Sequence, residues 1–280
     1  NADRRSASSG KPKGPEMKRV LGRKKSISNT AWLSAVQNIE SLITLEEVEL
    51  REEQAIERIY ACVSKYGAGN LAYGWSGGKD SIVLTHLCNA AGVSRGVFGT
   101  CSLEYPSFLQ WVNENIPEGV EPEDSGRDIH WLARHMDMLF PTTSAMMAKW
   151  YAVTHHRSQR SYYKRNKLSG MILGRRDIDG NQTHGGEMVD REGRVWISPI
   201  FDWEHEVVLG CIHYRKIPAP PIYAWKNGYW EGTHLWPMRS GKGRDHRTVW
   251  GEIYEIDKDA VHYAASLIDE AKEFLKEVTG

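Results

Sequence analysis

The chain has 280 residues, 40% of them apolar, enough for one large domain with a helical extension. Its 36 Lys and Arg balance 36 Asp and Glu, so bulk charge announces neither a nucleic-acid nor a membrane partner. No apolar run approaches the roughly 18–20 residues that span a bilayer. Cys62, Cys88, Cys101 and Cys211 are widely spaced and form no C-x-x-C pair, so reduced thiols in a cytoplasmic protein are expected, with no zinc and no iron–sulfur cluster.

Residues 1–28 are rich in Ser, Gly, Lys and Arg and lack apolar periodicity. They read as a disordered basic tail, with the part before Met17 additional to the native start. Residues 29–67 read as a helical extension. Trp32, Val36, Ile39 and Ile43 recur at helical spacing. Thr44 with Glu47 is a capping box that opens a second helix carrying Val48, Ile56, Ile59, Tyr60 and Val63 on one face. That helix would pack beside a sheet or serve a homo-oligomer.

Leu71-Ala72-Tyr73-Gly74-Trp75 then reads as a buried strand, and residues 82–91 as a helix closed by Gly92. Between them lies Ser76-Gly77-Gly78-Lys79-Asp80-Ser81. Strand, glycine-rich turn and helix together cradle phosphate: glycines admit close backbone approach, turn amides point at an anion, and the helix N-terminus adds partial positive charge. Ser76 and Ser81 supply hydroxyls and Lys79 a charge. Asp80 would repel phosphate unless it held a cation, which implies Mg2+. The spacing is not that of the Gly-x-x-x-x-Gly-Lys-Ser/Thr loop.

These residues resemble the SGGxDS signature of the PP-loop ATP pyrophosphatase superfamily, the adenine nucleotide alpha hydrolase-like group. The resemblance implies that the loop holds the pyrophosphate end of ATP and that chemistry occurs at the α-phosphate. Further along, residues 95–101 read as a second strand, parallel to the first across a βαβ unit. The loop after it, with Pro106, is similar to a degenerate strand-end loop of the phosphoadenosine phosphosulfate (PAPS) reductase-like family. Leu109, Trp111, Val112 and Ile116 give a helix, 119–124 a third strand, and 129–136 an amphipathic helix. A long helix is expected over 145–166. Its end, 155–167, carries His155, His156, Arg157, Arg160, Lys164, Arg165 and Lys167, a solvated basic face or a phosphate- or nucleic-acid-binding one.

Residues 171–174 read as a strand ending in Arg175-Arg176-Asp177. Gly174-Arg175-Arg176 is similar to the G-x-R segment of PAPS reductase-like proteins, and the Arg fork suits phosphate or sulfate. Residues 179–192 read as a mobile lid, and 194–203 as a strand leading into Pro199-Ile200-Phe201-Asp202-Trp203, a second family-like segment with Asp202 as an N-cap. Residues 217–223 and 228–230 follow in the family's order. The cysteine tail of the reductases has no counterpart after Cys211. Residues 248–256 read as a late edge strand and Asp257 as the cap of a last helix.

The fold expected is α/β: a parallel twisted Rossmann-like sheet with helices on both faces. The PP-loop domain would span 68–235 and a strand–helix element 236–280. The resemblance implies an enzyme that cleaves ATP at the α–β bond to adenylate an acceptor, or a PAPS reductase-type enzyme; a nucleic-acid-modification or regulatory protein with a nucleotide-binding PP-loop is the further alternative. Its ligands would be ATP, or PAPS or adenylyl sulfate, with Mg2+ at Asp80. Ser76, Gly77, Gly78, Lys79, Asp80, Ser81, Gly174 and Arg175 would bind nucleotide; Lys79, Asp80, Arg175 and Arg176 would be catalytic.

Overall fold

Burial on both faces dictates the central strands. In the computed structural model, which describes residues 21–22, 26–231 and 234–280, β1 (Leu71–Trp75) is buried at every position. Leu71, Tyr73 and Trp75 point into one apolar cluster, and Ala72 points into another. The helical extension is α1 (Asn29–Gln37) and α2 (Leu45–Tyr66). The capping box closes as expected: Glu47 N–H donates to Thr44 Oγ1 at 3.2 Å and Thr44 N–H to Glu47 Oε2 at 2.9 Å. After β1 come α3 (Lys79–Ala90), β2 (Gly96–Thr100), α4 (Pro106–Asn115) and β3 (Val120–Asp124). Next are α5 (Ile129–Ala133), α6 (Ser144–Val153), α7 (His155–Arg165) and β4 (Gly170–Ile172). A hairpin of β5 (Glu187–Val189) and β6 (Val195–Ile197) precedes α8 (His205–Tyr214) and α9 (Gly228–Glu231). The chain finishes in α10 (His246–Ile256), α11 (Lys258–Ala264) and α12 (Asp269–Thr279).

The six strands form one sheet in the order β3-β2-β1-β4-β6-β5. All neighbours are parallel except the edge pair β5–β6. Helices α2, α3 and α8 pack together over one face, and α7 lies against β2 and β3 on the other. The α/β expectation therefore holds. Strand order runs outward from β1 in both directions, so the loops after β1 and β4 diverge there. That divergence opens a crevice beyond the strands' carboxyl ends.

Several local expectations are corrected. The helix expected over 145–166 breaks at Thr154 (φ −109°, ψ −100°), giving α6 and α7. The expected strand 248–256 is helix α10. Asp245 caps its start, accepting Thr248 N–H at 2.7 Å, and Val249, Trp250 and Ile253 share its buried face. Its β-branched and aromatic residues suit a strand in isolation, but the cap and the docking of Trp250 on Trp236 and Phe140 fix a helix. Asp202 does not cap α8, whose N-cap is Glu204; Arg58 grips the Asp202 carboxylate at 2.7 and 2.8 Å instead. Part of the expected lid 179–192 is the β5 strand.

Most of the expected disordered tail, 1–20 and 23–25, lies outside the described residues. Leu21 and Ile27 are buried, and Leu21 N–H donates to Glu206 Oε1 at 2.7 Å. No helix among the described residues is long and apolar enough to cross a membrane.

Candidate functional site

A cavity of about 450 Å3 opens where the strand order reverses. Its walls come from the loop after β1, the loop after β4, the α6–α7 break and the segment around Tyr223. Of the residues expected to form a site, Ser76, Gly78, Lys79, Asp80, Ser81, Gly174 and Arg175 line it. Gly77 and Arg176 do not.

Backbone geometry explains the glycines. Gly77 has φ +67°, and a Cβ there would stand 2.9 Å from the Phe108 ring. Gly174 lies so close to α3 that a Cβ would meet the Asp80 backbone at 3.1 Å. The loop is otherwise held by its own serines: Ser76 N–H donates to Ser81 Oγ at 3.1 Å, and Ser81 Oγ–H to the Gly78 carbonyl at 2.9 Å. Gly78 is the N-cap of α3 and supplies no side-chain cap. The Lys79 N–H is taken by the Tyr223 hydroxyl at 2.7 Å.

Charge in the site is divided into an occupied cluster and a cation that faces the cavity. Lys79 Nζ meets both Asp80 oxygens at 2.9 and 2.7 Å. Arg176, fully buried, places Nε 2.9 Å from Asp80 Oδ1 and one terminal nitrogen 2.8 Å from Asp179 Oδ2. Burial pushes the Asp80 carboxyl up, but Arg176 and Lys79 together outweigh it and hold its pKa below the usual carboxylate value. Burial, reinforced by Arg176, lowers the Lys79 pKa despite Asp80. Arg175 differs: it has no carboxylate partner among the described residues, and its guanidinium sits 5.8 Å above the Trp196 ring. Burial lowers its pKa. An uncompensated, half-buried guanidinium suits an anionic ligand with a planar pair of oxygens.

Other wall residues were not legible as site residues in the sequence. Tyr223 and Tyr229 enter through the proline-rich segment and α9, and Asn181 through the loop after β4. His155 and His156, read as part of a basic helix with a solvated or a phosphate- or nucleic-acid-binding face, both line the cavity. The basic stretch 155–167 is accordingly not one cationic face. Arg165 is engaged by Glu121 and Glu123, and Arg160 donates to the Ala152 carbonyl. On the expected α2 face Val48 and Ile59 are buried, where α2 packs against α3 and α8, while Tyr60 is 50% exposed.

Residues 70–230 match the family model of the phosphoadenosine phosphosulfate reductase domain. No curated protein matches. Among solved structures, PAPS reductase from Candida auris aligns at 14% identity over 66% of this chain and 94% of that one, with a TM-score of 0.48. FMN adenylyltransferase from Candida glabrata, solved with FMN and an ATP analogue, aligns at 13% identity over 70% of each chain, with a TM-score of 0.42. The U34-tRNA thiolase NcsA from Methanococcus maripaludis, with its 4Fe-4S cluster, aligns at 12% identity over 82% of this chain and 80% of that one, with a TM-score of 0.39.

The expected cofactors are corrected. The matching family is named for PAPS, not ATP. Mg2+ at Asp80 fails on geometry, because Lys79 and Arg176 already neutralise that carboxylate. No group of three His, Cys, Asp or Glu among the described residues is arranged to hold a metal ion.

Proposed function

Because the chain belongs to the phosphoadenosine phosphosulfate reductase domain family, we propose that its cavity binds an adenine nucleotide by the anionic end and acts at the α-phosphorus. Ser76, Gly78 and Ser81, which line the cavity, would hold phosphate oxygens through backbone N–H and hydroxyl groups at the start of α3, and Gly77 would supply the turn that presents them. Arg175 would grip the outer phosphate or sulfate. Lys79, Asp80 and Arg176 would act as one buried ionic cluster that fixes the two loops, rather than as contacts to the ligand.

The observation that carries this reading is Arg175, a cation without a carboxylate partner among the described residues, across a cavity from a glycine loop at a helix N-terminus. An acceptor nucleophile would form a bond to the α-phosphorus as the bond to the departing sulfate or phosphate breaks, giving an adenylylated acceptor. Reduction of a sulfonucleotide by this chain's own thiols has less support. None of the four cysteines lines the cavity, and burial pushes the Cys88, Cys101 and Cys211 thiols up, away from the thiolate.

Incubation with phosphoadenosine phosphosulfate, followed by separation of the sulfur products, tests the reaction. Release of sulfate that Arg175→Ala abolishes is expected. Release of sulfite, undiminished in Arg175→Ala, would contradict it.

A further inference from the structure

Trp32 stands on α1, ahead of the segment that matches the family model, and is 1% exposed. Its ring stacks on Tyr229, 3.9 Å between centroids with the planes 11° apart. His205 meets it edge-on at 6.3 Å and 89°, and Tyr223 lies at 5.9 Å and 45°. One indole from the helical extension is therefore packed among three rings of the matched domain. Tyr223 and Tyr229 line the cavity.

Each of those three rings makes a polar contact that bears on the site. The Tyr223 hydroxyl accepts the Lys79 N–H at 2.7 Å, at the start of α3. His205 Nδ1 lies 3.1 Å from a terminal nitrogen of Arg176, the guanidinium that joins the loop after β4 to Asp80. The Tyr229 hydroxyl lies 3.3 Å from His205 Nε2. A polar atom on a rigid ring is aimed by the plane of that ring, so whatever fixes the three planes fixes these contacts. Trp32 Nε1–H is buried with no hydrogen-bond partner among the described residues. Leaving a donor dry is unfavourable, so this indole is held for its faces and not for its N–H. The rest of α1 adds little to the docking. Ala35 is its other buried residue, while Leu33 and Val36 are exposed.

We propose that Trp32 is a positioning residue of the nucleotide cavity: stacked behind Tyr229 and packed against Tyr223 and His205, it sets the wall that meets the start of α3, which makes the helical extension a working part of the site. The proposal rests on the nucleotide-binding reading of that cavity. Trp32 does not itself line the cavity, so it acts through the two tyrosines. Without the indole, Tyr229 loses its stacking partner and can turn into the space left behind. The wall must then be ordered again each time a ligand binds, and that cost is read as lost affinity.

Equilibrium binding of PAPS to the full chain tests this, with Trp32→Leu, Trp32→Phe, Tyr229→Leu and the double variant Trp32→Leu/Tyr229→Leu. Trp32→Leu keeps apolar bulk without the stack, and its affinity should fall roughly three- to tenfold, the scale of one aromatic pair. Trp32→Phe restores a flat ring and should bind within about twofold of the wild type. In the Tyr229→Leu background, Trp32→Leu should cost no further affinity. Ile43→Ala is the control for loosening the extension. Ile43 is buried against Gly210 and does not line the cavity, so its truncation should lower stability and leave affinity unchanged. Equal affinity of the wild type and Trp32→Leu overturns the positioning role while leaving the cavity a nucleotide site. Equal losses in Trp32→Leu and Trp32→Phe, or in Ile43→Ala, do the same. A nuclear magnetic resonance measurement on the wild type stands beside the variants. The Trp32 Nε1–H signal, assigned with Trp32→Phe, should shift as PAPS saturates the protein. The Trp250 signal, whose ring neighbours Phe140 and Trp236 do not line the cavity, should not. A Trp32 signal that stays in place while PAPS binds overturns the role. No PAPS binding by the wild type overturns the nucleotide reading and the role together.

Discussion

Arg176 Nε lies 2.9 Å from Asp80 Oδ1, so the loop leaving β4 is pinned to the first turn of α3. Both strands end at the crevice, and this contact sets its width. Arg176 reaches further, to Asp179 and to the Trp203 carbonyl at 3.3 Å, and so ties three segments to one buried guanidinium.

Removing that buried guanidinium takes the cation from Asp179 and leaves Asp80 with Lys79 alone. Arg176→Gln should therefore lose about 3–5 kcal/mol of stability, the range for breaking a buried ion pair. Chemical denaturation checks this. A loss under about 1 kcal/mol would mean that the cluster is not load-sharing in the fold.

The two close-packed glycines should fail differently. Gly77→Ala meets a positive φ and the Phe108 ring, and should cost about 1–2 kcal/mol in stability. Gly174→Ala presses on the Asp80 backbone, so the loop after β4 must move away from α3. Nucleotide affinity should fall more than stability does. Denaturation and binding titrations on the two variants separate the effects.

Tyr223→Phe removes the acceptor of the Lys79 N–H at the start of α3. Stability should fall by about 1 kcal/mol, the usual net worth of such a bond. The freed amide then points toward the cavity, so nucleotide affinity should hold or rise. A large fall in affinity would show that the Tyr223 hydroxyl itself contacts ligand.

Asp190 organises the β5–β6 hairpin, accepting N–H groups from Glu192, Arg194 and Trp196. Burial opposes its ionisation, but Arg194 and the Trp196 indole outweigh burial and bring its pKa from 3.8 to about 2. A depressed folded pKa stabilises above the unfolded value and is lost as pH falls through the folded one. Wild type should thus lose about 1 kcal/mol between roughly pH 4 and pH 2, after allowance for solvent screening, that Asp190→Asn does not lose. Denaturation at the two pH values in both proteins decides it.

The sequence was most legible where one local rule governs. The β1 run, the glycine loop and the Thr44–Glu47 box each follow from adjacent residues, and each is present. Legibility failed where long-range partners decide. Asp80 looked like a metal ligand because its two cations stand at its flank and 96 positions away, at Arg176. His155 was left between a solvated and an anion-binding face because His234, 79 positions away, is invisible to helical periodicity. Residues 248–256 have strand-like composition, but the Asp245 cap and the Trp236 platform fix α10.

Equilibrium binding of phosphoadenosine phosphosulfate to the wild type and to Arg175→Ala tests the nucleotide cavity most directly. Arg175 pairs with no carboxylate among the described residues, so its removal should leave stability nearly unchanged. Saturable binding by the wild type, weakened roughly tenfold or more in Arg175→Ala, is the predicted result. Equal binding by the two proteins, or none by the wild type, would contradict it.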